Sequence, residues 1–143
     1  MATTPTPVAL RPRPVMTKDT AFFWEAARQH RLVIQRCTRC GRLRHPPMPS
    51  CPHCLSLEWD TVDACGRGML TTYTVLHRPL APPFTGPQLI GVITLEEGTK
   101  LVAGLVGVER NRVAIGMPLQ VEFLDCDPEL TLPVFRPAVE IEQ

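Results

Sequence analysis

The chain has 143 residues, of which 44% are hydrophobic and 20% are charged, and its formal net charge is +1. These values are typical of one globular domain, or of two very small ones sharing a core, and argue against a disordered tail. No apolar run approaches the roughly 20 residues that span a bilayer, and the first residues lack the apolar centre of a signal peptide. We therefore expect a protein of the reducing cytoplasm, with no membrane segment.

Charge is unevenly distributed along the chain. Residues 1–60 carry nine Lys or Arg against four Asp or Glu, a balance of +5, whereas residues 61–143 carry six against ten, a balance of −4. Two interpretations stay open. The basic half could attract phosphates of a nucleic acid or of a nucleotide-bearing cofactor. Alternatively, Arg39, Arg42 and Arg44 simply solvate a small exposed domain.

The chain begins with a segment rich in proline, residues 1–16, which we interpret as an extended arm or linker. Four prolines between positions 5 and 14 disfavour a helix there. Residues 17–31 form the next segment, with a helix predicted from about residue 18 to residue 29. Thr17 is the predicted N-cap, and Asp19 lies in the first turn, where the helix dipole favours an anion.

Three consecutive aromatic residues lie in this predicted helix: Phe22, Phe23 and Trp24. Successive helical residues point about 100° apart, so the three rings cannot all face one small core. Either the helix packs against the rest of the chain and leaves one ring partly exposed, or part of this surface docks another protein. Aromatic side chains are favoured interface anchors, so we treat all three as candidate partner contacts.

Two Cys-x-x-Cys pairs, Cys37/Cys40 and Cys51/Cys54, lie in the segment 32–64. Their spacing can bring four thiolates to the corners of one tetrahedron, the arrangement that Zn²⁺ prefers. Iron in the same cage, two disulfides and a thioredoxin-like redox pair are the alternatives. The disulfides would suit a secreted chain, and the redox pair needs a βαβ unit that the pattern does not show. Four cysteines leave no open coordination position, so we predict a structural zinc ion.

Two β-like runs flank the cysteine pairs, residues 32–36 and 57–62, and we expect Trp59 beside the metal. The segment is too short to build a core of its own, so the metal must supply much of its stability. Cys65 and Cys126 are left over from the cage, and we predict that they are small buried hydrophobic residues.

The remaining segment, 65–143, contains five predicted strands: 69–77, 88–95, 101–108, 119–124 and 130–135. Glu96 to Thr99 separates the second and third as a hairpin turn, and residues 125–128 form a turn before the fifth. Five short, glycine-containing strands without a long interior helix match a small, partly open barrel of the OB type. The expected fold is therefore mostly β, with an N-terminal helix, a zinc ribbon and a C-terminal five-stranded OB-fold barrel.

This ordered series of motifs resembles the OB-fold, acyl-CoA-associated zinc-ribbon family. The resemblance covers nearly the whole chain after the arm, and the order of the motifs is more specific than any one of them. It implies that the ribbon is rubredoxin-like. The matching stretches are residues 23–26, 32–37, 40–41, 46–47, 51–54, 66–68, 74–75, 115–118 and 133–137.

The resemblance implies an accessory role for this chain. Family members accompany thiolases and thiolase-fold aldolases that remove steroid side chains, and they stabilise those enzymes without catalysing a reaction. We expect two copies of the chain to flank a dimeric partner in an α₂β₂ assembly. A hotdog-fold enoyl-CoA hydratase, reached through the N-terminal arm, is a second implied partner.

The same resemblance implies contact with acyl-CoA. Arg78 ends the first predicted barrel strand, and Phe84 lies in the Pro-rich loop that follows. The guanidinium could meet a CoA phosphate and the phenyl ring an acyl or pantetheine chain. An ordinary exposed barrel loop is the alternative.

The residue inventory agrees with a protein that is not an enzyme. The two serines, Ser50 and Ser56, both lie beside the cysteine cage, and no Gly-rich loop leads into a helix. The alternative function is a single-stranded nucleic-acid-binding module, since ribbons and OB barrels both serve that purpose. The predicted barrel offers Tyr73, Phe84, Phe123 and Phe135 as stacking platforms, but among acidic residues, which makes a poor electrostatic channel for a strand.

Overall fold

The structure is a computed structural model that describes residues 14–77 and 86–138. Most of the predicted arm, together with Arg78 and Phe84, lies outside the described residues. None of the helices in these two ranges is long and apolar enough to cross a membrane. The elements are α1 (Ala21–Arg28), β1 (Val33–Cys37), β2 (Leu43–Arg44), β3 (Trp59–Asp63), β4 (Arg67–Leu76), β5 (Gln88–Leu95), β6 (Lys100–Gly104), a 3₁₀ turn (Arg110–Arg112), β7 (Pro118–Asp127) and β8 (Leu130–Pro137).

Three short strands form the ribbon sheet, in the order β2-β1-β3, and both pairs are antiparallel. Cross-strand ion pairs reinforce β1 against β3. Arg36 is the register partner of Asp60 and donates two hydrogen bonds to it, at 2.8 and 2.6 Å. Arg31, just before β1, binds Asp63 in the same bidentate way. The predicted ribbon is therefore present, with β2 as an additional short strand.

The other five strands form one antiparallel sheet in the order β6-β5-β4-β7-β8. The sheet curls until its two edges meet, where Leu105 forms a parallel bridge with Phe135 and the Val106 N–H donates to the Phe135 carbonyl at 2.8 Å. This closure gives the barrel that the sequence predicts. The hairpin turn at residues 96–99 is also present, with Gly98 at a φ of 101°.

Several element boundaries differ from the predictions by one or more residues, and three of these differences have a visible cause. The helix begins at Ala21 because Thr17 and Thr20 bond to each other in a preceding turn. Strand β6 ends at Gly104, four residues early, because the chain leaves β5 there to cross to β8. The turn predicted at residues 125–128 is largely strand, since β7 continues to Asp127 through an irregularity after Asp125.

Helix α1 packs against β8 of the barrel and β1 of the ribbon and shares their core. Phe23 is 7% exposed and belongs to the same buried cluster as Ile34 from the ribbon and Leu70, Ile93 and Phe135 from the barrel. Helix, ribbon and barrel therefore form one hydrophobic core. The division of the chain at residues 16, 31 and 64 remains a prediction about sequence segments.

The end of α1 is tied to the barrel through one polar contact. His30, in a left-handed conformation at φ 59°, bonds through Nε2 to Asp125 at 2.9 Å and stacks on the ring of Phe123. Thr131 donates its hydroxyl to the same carboxylate at 2.7 Å. Together with the shared core, this tie fixes the direction in which the helix crosses the barrel.

Candidate metal centre and interaction surfaces

The four cysteines of the two pairs meet at the end of the ribbon. Their sulfur atoms all lie within 4.8 Å of one another, with 3.5 Å between Cys37 and Cys54 and 3.6 Å between Cys40 and Cys51. A tetrahedron with metal–sulfur bonds of about 2.3 Å has edges of about 3.8 Å, close to these distances. A disulfide needs about 2.05 Å between its sulfurs. The geometry therefore fits one tetrahedral metal ion and excludes the disulfide alternative.

Backbone amides of the two turns point at the sulfurs. The N–H of Cys40 donates to Cys37 Sγ at 3.4 Å, and the N–H groups of His53 and Cys54 donate to Cys51 Sγ at 3.4 and 3.5 Å. Such donors favour the thiolate form, which is the form that binds a metal. The turns are thus pre-organised as metal-binding knuckles.

The thiol pKa values show that the four cysteines do not all ionise equally easily when no cation lies between them. Hydrogen bonds from the Cys40 backbone, and more weakly from Arg39, lower the pKa of Cys37 to about 6. The pKa of Cys54 rises to about 11, because burial and the neighbouring sulfurs outweigh the hydrogen bond from the Ser56 backbone. Two adjacent thiolates repel each other, so four can coexist only around a cation. The donor set of four soft sulfurs suits Zn²⁺, and the ion is structural.

A buried polar network supports the loop between the knuckles. Gln35 accepts from Arg44 Nε at 3.0 Å and from the Met48 N–H at 2.9 Å, while the Met48 carbonyl accepts from Arg44 Nη2 at 3.1 Å and from Gln35 Nε2 at 3.0 Å. Arg44 is 5% exposed. The interpretation of Arg44 as a solvating surface charge is therefore wrong, because β1–β2 pairing turns its side chain inward.

The aromatic residues of α1 have three different environments. Phe22 packs on Trp59 at 4.7 Å between ring centroids, and Trp59 is the register partner of the metal ligand Cys37. Phe23 is a core residue and is not available as a surface anchor. Trp24 packs edge-on against Phe23 at 5.1 Å and stays partly exposed. Phe22 and Trp24 thus remain candidate partner contacts.

Trp24 also lines an apolar groove of about 580 Å³. Its walls come from α1, from the loop after β2 and from strands β5, β6 and β8. Leu76 and Gln88 line it as well, and these residues flank the segment that contains Arg78 and Phe84. Those two candidate acyl-CoA contacts lie outside the described residues. The groove could not be seen in the sequence, because segments far apart in the chain build it together.

The two cysteines outside the cage differ from the prediction. Cys65 is exposed, and its N–H and thiol bind Glu97 and Glu96 of the facing hairpin turn. Cys126 is half-buried at the irregularity in β7. The expectation of small buried hydrophobic residues is therefore wrong for Cys65, since both its polar groups are satisfied at the surface.

Two protein-family models match this chain over consecutive ranges. Residues 24–60 match the rubredoxin-like zinc ribbon domain of ChsH2, and residues 61–124 match the C-terminal OB-fold domain of ChsH2. A solved structure described as an Ltp2-ChsH2(DUF35) aldolase contains a chain 54% identical to this one. The match has a TM-score of 0.85 and covers 89% of this chain and 100% of that one.

Two curated relatives are named as hydratase subunits. The probable enoyl-CoA hydratase alpha subunit of Thermomonospora curvata is 55% identical over 96% of this chain, and 43% of the relative is covered. The 3-oxo-4,17-pregnadiene-20-carboxyl-CoA hydratase alpha subunit of Mycobacterium tuberculosis is 39% identical over 87% of this chain, and 40% of it is covered. The chain thus spans about two fifths of the length of these relatives.

Proposed function

The chain belongs to the ChsH2 family, which joins a rubredoxin-like zinc ribbon to an OB-fold domain, and from this premise we propose that it is a non-catalytic scaffold subunit. Its partner in this proposal is a thiolase-fold acyl-CoA enzyme, an aldolase that cleaves a steroid side chain. The chain binds that enzyme and stabilises it in its active form.

One observation carries the proposal. The solved chain that this one covers completely, at 54% identity, is described together with Ltp2 as an aldolase. The name of the mycobacterial relative contributes the substrate class, because it contains a steroid acyl-CoA. At such identity and overlap, we expect the surface that meets a partner to be shared as well.

The described residues offer a physical reason for a scaffold role. The polar cluster most like a catalytic group is His30, Asp125 and Thr131, and there the carboxylate bonds to both other side chains. A histidine that activates a hydroxyl must instead stand between the hydroxyl and the carboxylate. The metal, held by four cysteines, has no position for a substrate. What the chain offers a partner is a rigid surface.

The structure gives the nucleic-acid alternative little support. Phe135 is fully buried, and Phe123 is stacked on His30, so neither ring is free to stack on a base. Tyr73 is partly buried against the core, and Phe84 lies outside the described residues. None of the relatives reported above is described as a nucleic-acid-binding protein.

We further propose that the chain helps to hold the acyl-CoA of its partner. The apolar groove of about 580 Å³ supports this, because it ends beside the residues that flank Arg78 and Phe84. Arg78 would then meet a CoA phosphate and Phe84 an acyl or pantetheine chain. In the assembled complex, Arg78→Ala should raise KM for the acyl-CoA and leave kcat nearly unchanged. An unchanged KM would remove Arg78 from this role.

The stoichiometry in this proposal is α₂β₂, with two copies of the chain flanking a dimeric aldolase. The hydratase relatives are more than twice as long as this chain, which supports a hotdog-fold enoyl-CoA hydratase as a further member of the complex. Light scattering of the purified complex would give its mass, and addition of the hydratase would show whether it joins.

Co-expression with the aldolase tests the central proposal. We expect the two chains to elute together from a size-exclusion column, and the aldolase to be soluble and active only in the presence of this chain. Separate elution, with an aldolase equally soluble and active alone, would overturn the proposal. Cleavage of the acyl-CoA by this chain alone would overturn its non-catalytic character.

A further inference from the structure

The two knuckles of the metal site share one backbone design, but the residue that follows the second cysteine is a glycine in the first knuckle and a leucine in the second. In each, the residue after the second cysteine donates its N–H to the carbonyl of the first. Gly41 does so to Cys37 at 2.9 Å, and Leu55 to Cys51 at 2.8 Å. Both adopt the left-handed conformation, with φ of 81° and 66°. Glycine accepts it without steric cost, whereas the Cβ of leucine makes it unfavourable.

Contacts within the chain do not explain the leucine. Leu55 is 75% exposed, so its side chain contributes little to packing. Among the described residues, the other non-glycine residue with positive φ is His30, and its ring binds Asp125 and stacks on Phe123. The unfavourable backbone is therefore offset by contacts at His30 but not at Leu55. Backbone strain that no contact of the side chain offsets is typical of a residue with a role in binding.

Two further residues extend this surface. Leu57 is 72% exposed, and Ser56 between the two leucines is buried. The Thr38 N–H donates to the Glu58 carbonyl at 3.3 Å, which brings the first knuckle and its exposed Arg39 alongside. We call Arg39, Leu55 and Leu57 the ribbon tip.

The guanidinium of Arg39 has no ion-pair partner among the described residues, although the acidic Glu58 follows Leu57 in the chain. By contrast, Arg31, just before β1, and Arg36, within β1, form bidentate ion pairs with Asp63 and Asp60. Two exposed leucines beside an unpaired guanidinium complement an apolar cleft with a carboxylate at its rim.

We propose that the ribbon tip inserts Leu55 and Leu57 into such a cleft on the partner aldolase, with Arg39 facing an acidic residue at its edge. This inference rests on the proposed function, because it takes the aldolase as the partner. It adds a contact surface on the ribbon to the one suggested on α1. It also explains why a leucine occupies a position where the equivalent turn has a glycine.

The decisive variant is Leu55→Gly, because it separates folding from binding. Glycine removes the left-handed strain, so the isolated, metal-loaded chain should melt at or above the wild-type temperature. The same change removes the side chain that fills the cleft, so Kd for the aldolase should rise by about tenfold or more. If Leu55 were purely structural, its replacement would not weaken binding while leaving the melting temperature unchanged or higher.

Matched variants complete the experiment. Leu57→Asn should also weaken binding, and Arg39→Glu should weaken it in a way that depends on salt. Ile115→Thr changes a similarly exposed side chain in the connector before β7, and Arg112→Glu an exposed arginine of the 3₁₀ turn. Both controls should leave Kd unchanged. Because the aldolase is expected to be soluble only in complex with this chain, binding is measured by competition: each variant displaces a labelled wild-type chain from the purified complex. Stability is measured by thermal unfolding of each free chain.

The outcomes distinguish this inference from the proposed function. If wild type binds the aldolase and the Leu55→Gly and Leu57→Asn variants bind as tightly, the ribbon tip is not the contact, and the scaffold function stands. If Leu55→Gly lowers stability and affinity together, Leu55 is structural and the inference is wrong. If wild type does not bind the aldolase, both are overturned.

Discussion

Arg44 donates its Nε proton to Gln35 Oε1 at 3.0 Å across the β2–β1 pair, and both residues are at least 95% buried. The same glutamine accepts the N–H of Met48, two residues before Ser50, where the second knuckle approaches. A buried guanidinium is costly unless its donors have partners. Gln35 satisfies Nε and the Met48 carbonyl satisfies Nη2, whereas Nη1 has no partner among the described residues. Gln35 therefore offsets part of the cost of burying Arg44 and holds the loop leading to Cys51.

Gln35→Leu should destabilise the metal-loaded chain by about 2–3 kcal/mol, because it leaves the buried Arg44 Nε and the Met48 N–H without their acceptor. Arg42→Gln is the matched control, since Arg42 is exposed in the adjoining turn and should change stability by less than about 0.5 kcal/mol. Urea unfolding of the three proteins measures the difference. Equal midpoints would show that the network contributes nothing.

Cys40→Ser should abolish tight zinc binding and unfold at least the ribbon, since the free energy of metal binding, on the order of 10 kcal/mol, is also folding free energy. Cys65→Ser, at an exposed cysteine outside the cage, should keep one zinc per chain. Elemental analysis after purification under reducing conditions gives the metal content, and circular dichroism reports the fold. Wild-type protein without zinc or iron would contradict the assignment.

The metal cage and the barrel were predictable because their signals are local. Cysteine spacing alone brings Cys37, Cys40, Cys51 and Cys54 together, and the hairpin at residues 96–99 follows from its turn residues. The burial of Arg44 was not predictable, because it depends on which strand β2 pairs with. The end of β6 at Gly104 depends likewise on barrel closure, which joins Leu105 to a residue 30 positions later.

The helix shows the same limit. An aromatic run indicates that some rings must face the core, but the pattern does not say which. Only the packing of α1 across the barrel shows that Phe23 is the buried one, and that Phe22 instead covers Trp59 of the ribbon. The Thr17–Thr20 turn that delays the helix start is a competition between two local hydrogen-bonding patterns of similar energy.

Asp125→Asn should remove a pH-dependent contribution to stability. Hydrogen bonds from His30, and then from Thr131, hold the pKa of Asp125 below its ordinary value of about 3.9. Folding therefore favours the carboxylate. The contribution is present above about pH 4 and is lost as pH falls through the lower folded pKa. Unfolding free energies of wild type and variant should differ at pH 5 and converge near about pH 2.

Both side chains of this pair are exposed, so we expect a modest difference. Glu109→Gln is a suitable control, because Glu109 is exposed and makes no ion pair with a described residue. A gap between wild type and Asp125→Asn that does not change between pH 5 and pH 2 would contradict the explanation.

Gly68→Ala should destabilise the barrel by about 1–3 kcal/mol through overpacking. A Cβ at position 68 would lie 2.6 Å from the Thr94 carbonyl oxygen, a backbone atom of the neighbouring strand that cannot move aside. Gly86→Ala is the matched control, since a Cβ there meets no atom within 4 Å and its φ lies outside the left-handed region that side chains disfavour. Thermal unfolding should show a lower Tm for the first variant only. Equal Tm values would mean that the β4–β5 pair can open to admit the methyl group.

Phe23 and Trp24 are adjacent and in contact, yet we expect alanine at position 23 to lower stability and alanine at position 24 to weaken binding. Phe23 is 7% exposed in the shared core, so Phe23→Ala should lower the free energy of unfolding by about 3–5 kcal/mol. Trp24 lies at the edge of the apolar groove and stays partly exposed, so Trp24→Ala should lower the free energy of unfolding of the free chain clearly less.

If α1 forms part of the surface that meets the aldolase, Trp24→Ala should instead weaken binding by about 2 kcal/mol or more, as a buried aromatic anchor does. Unfolding of the free chains, and displacement by them of a labelled wild-type chain from the purified complex, separate these effects. A Trp24→Ala chain with wild-type affinity would exclude this helix face from the interface.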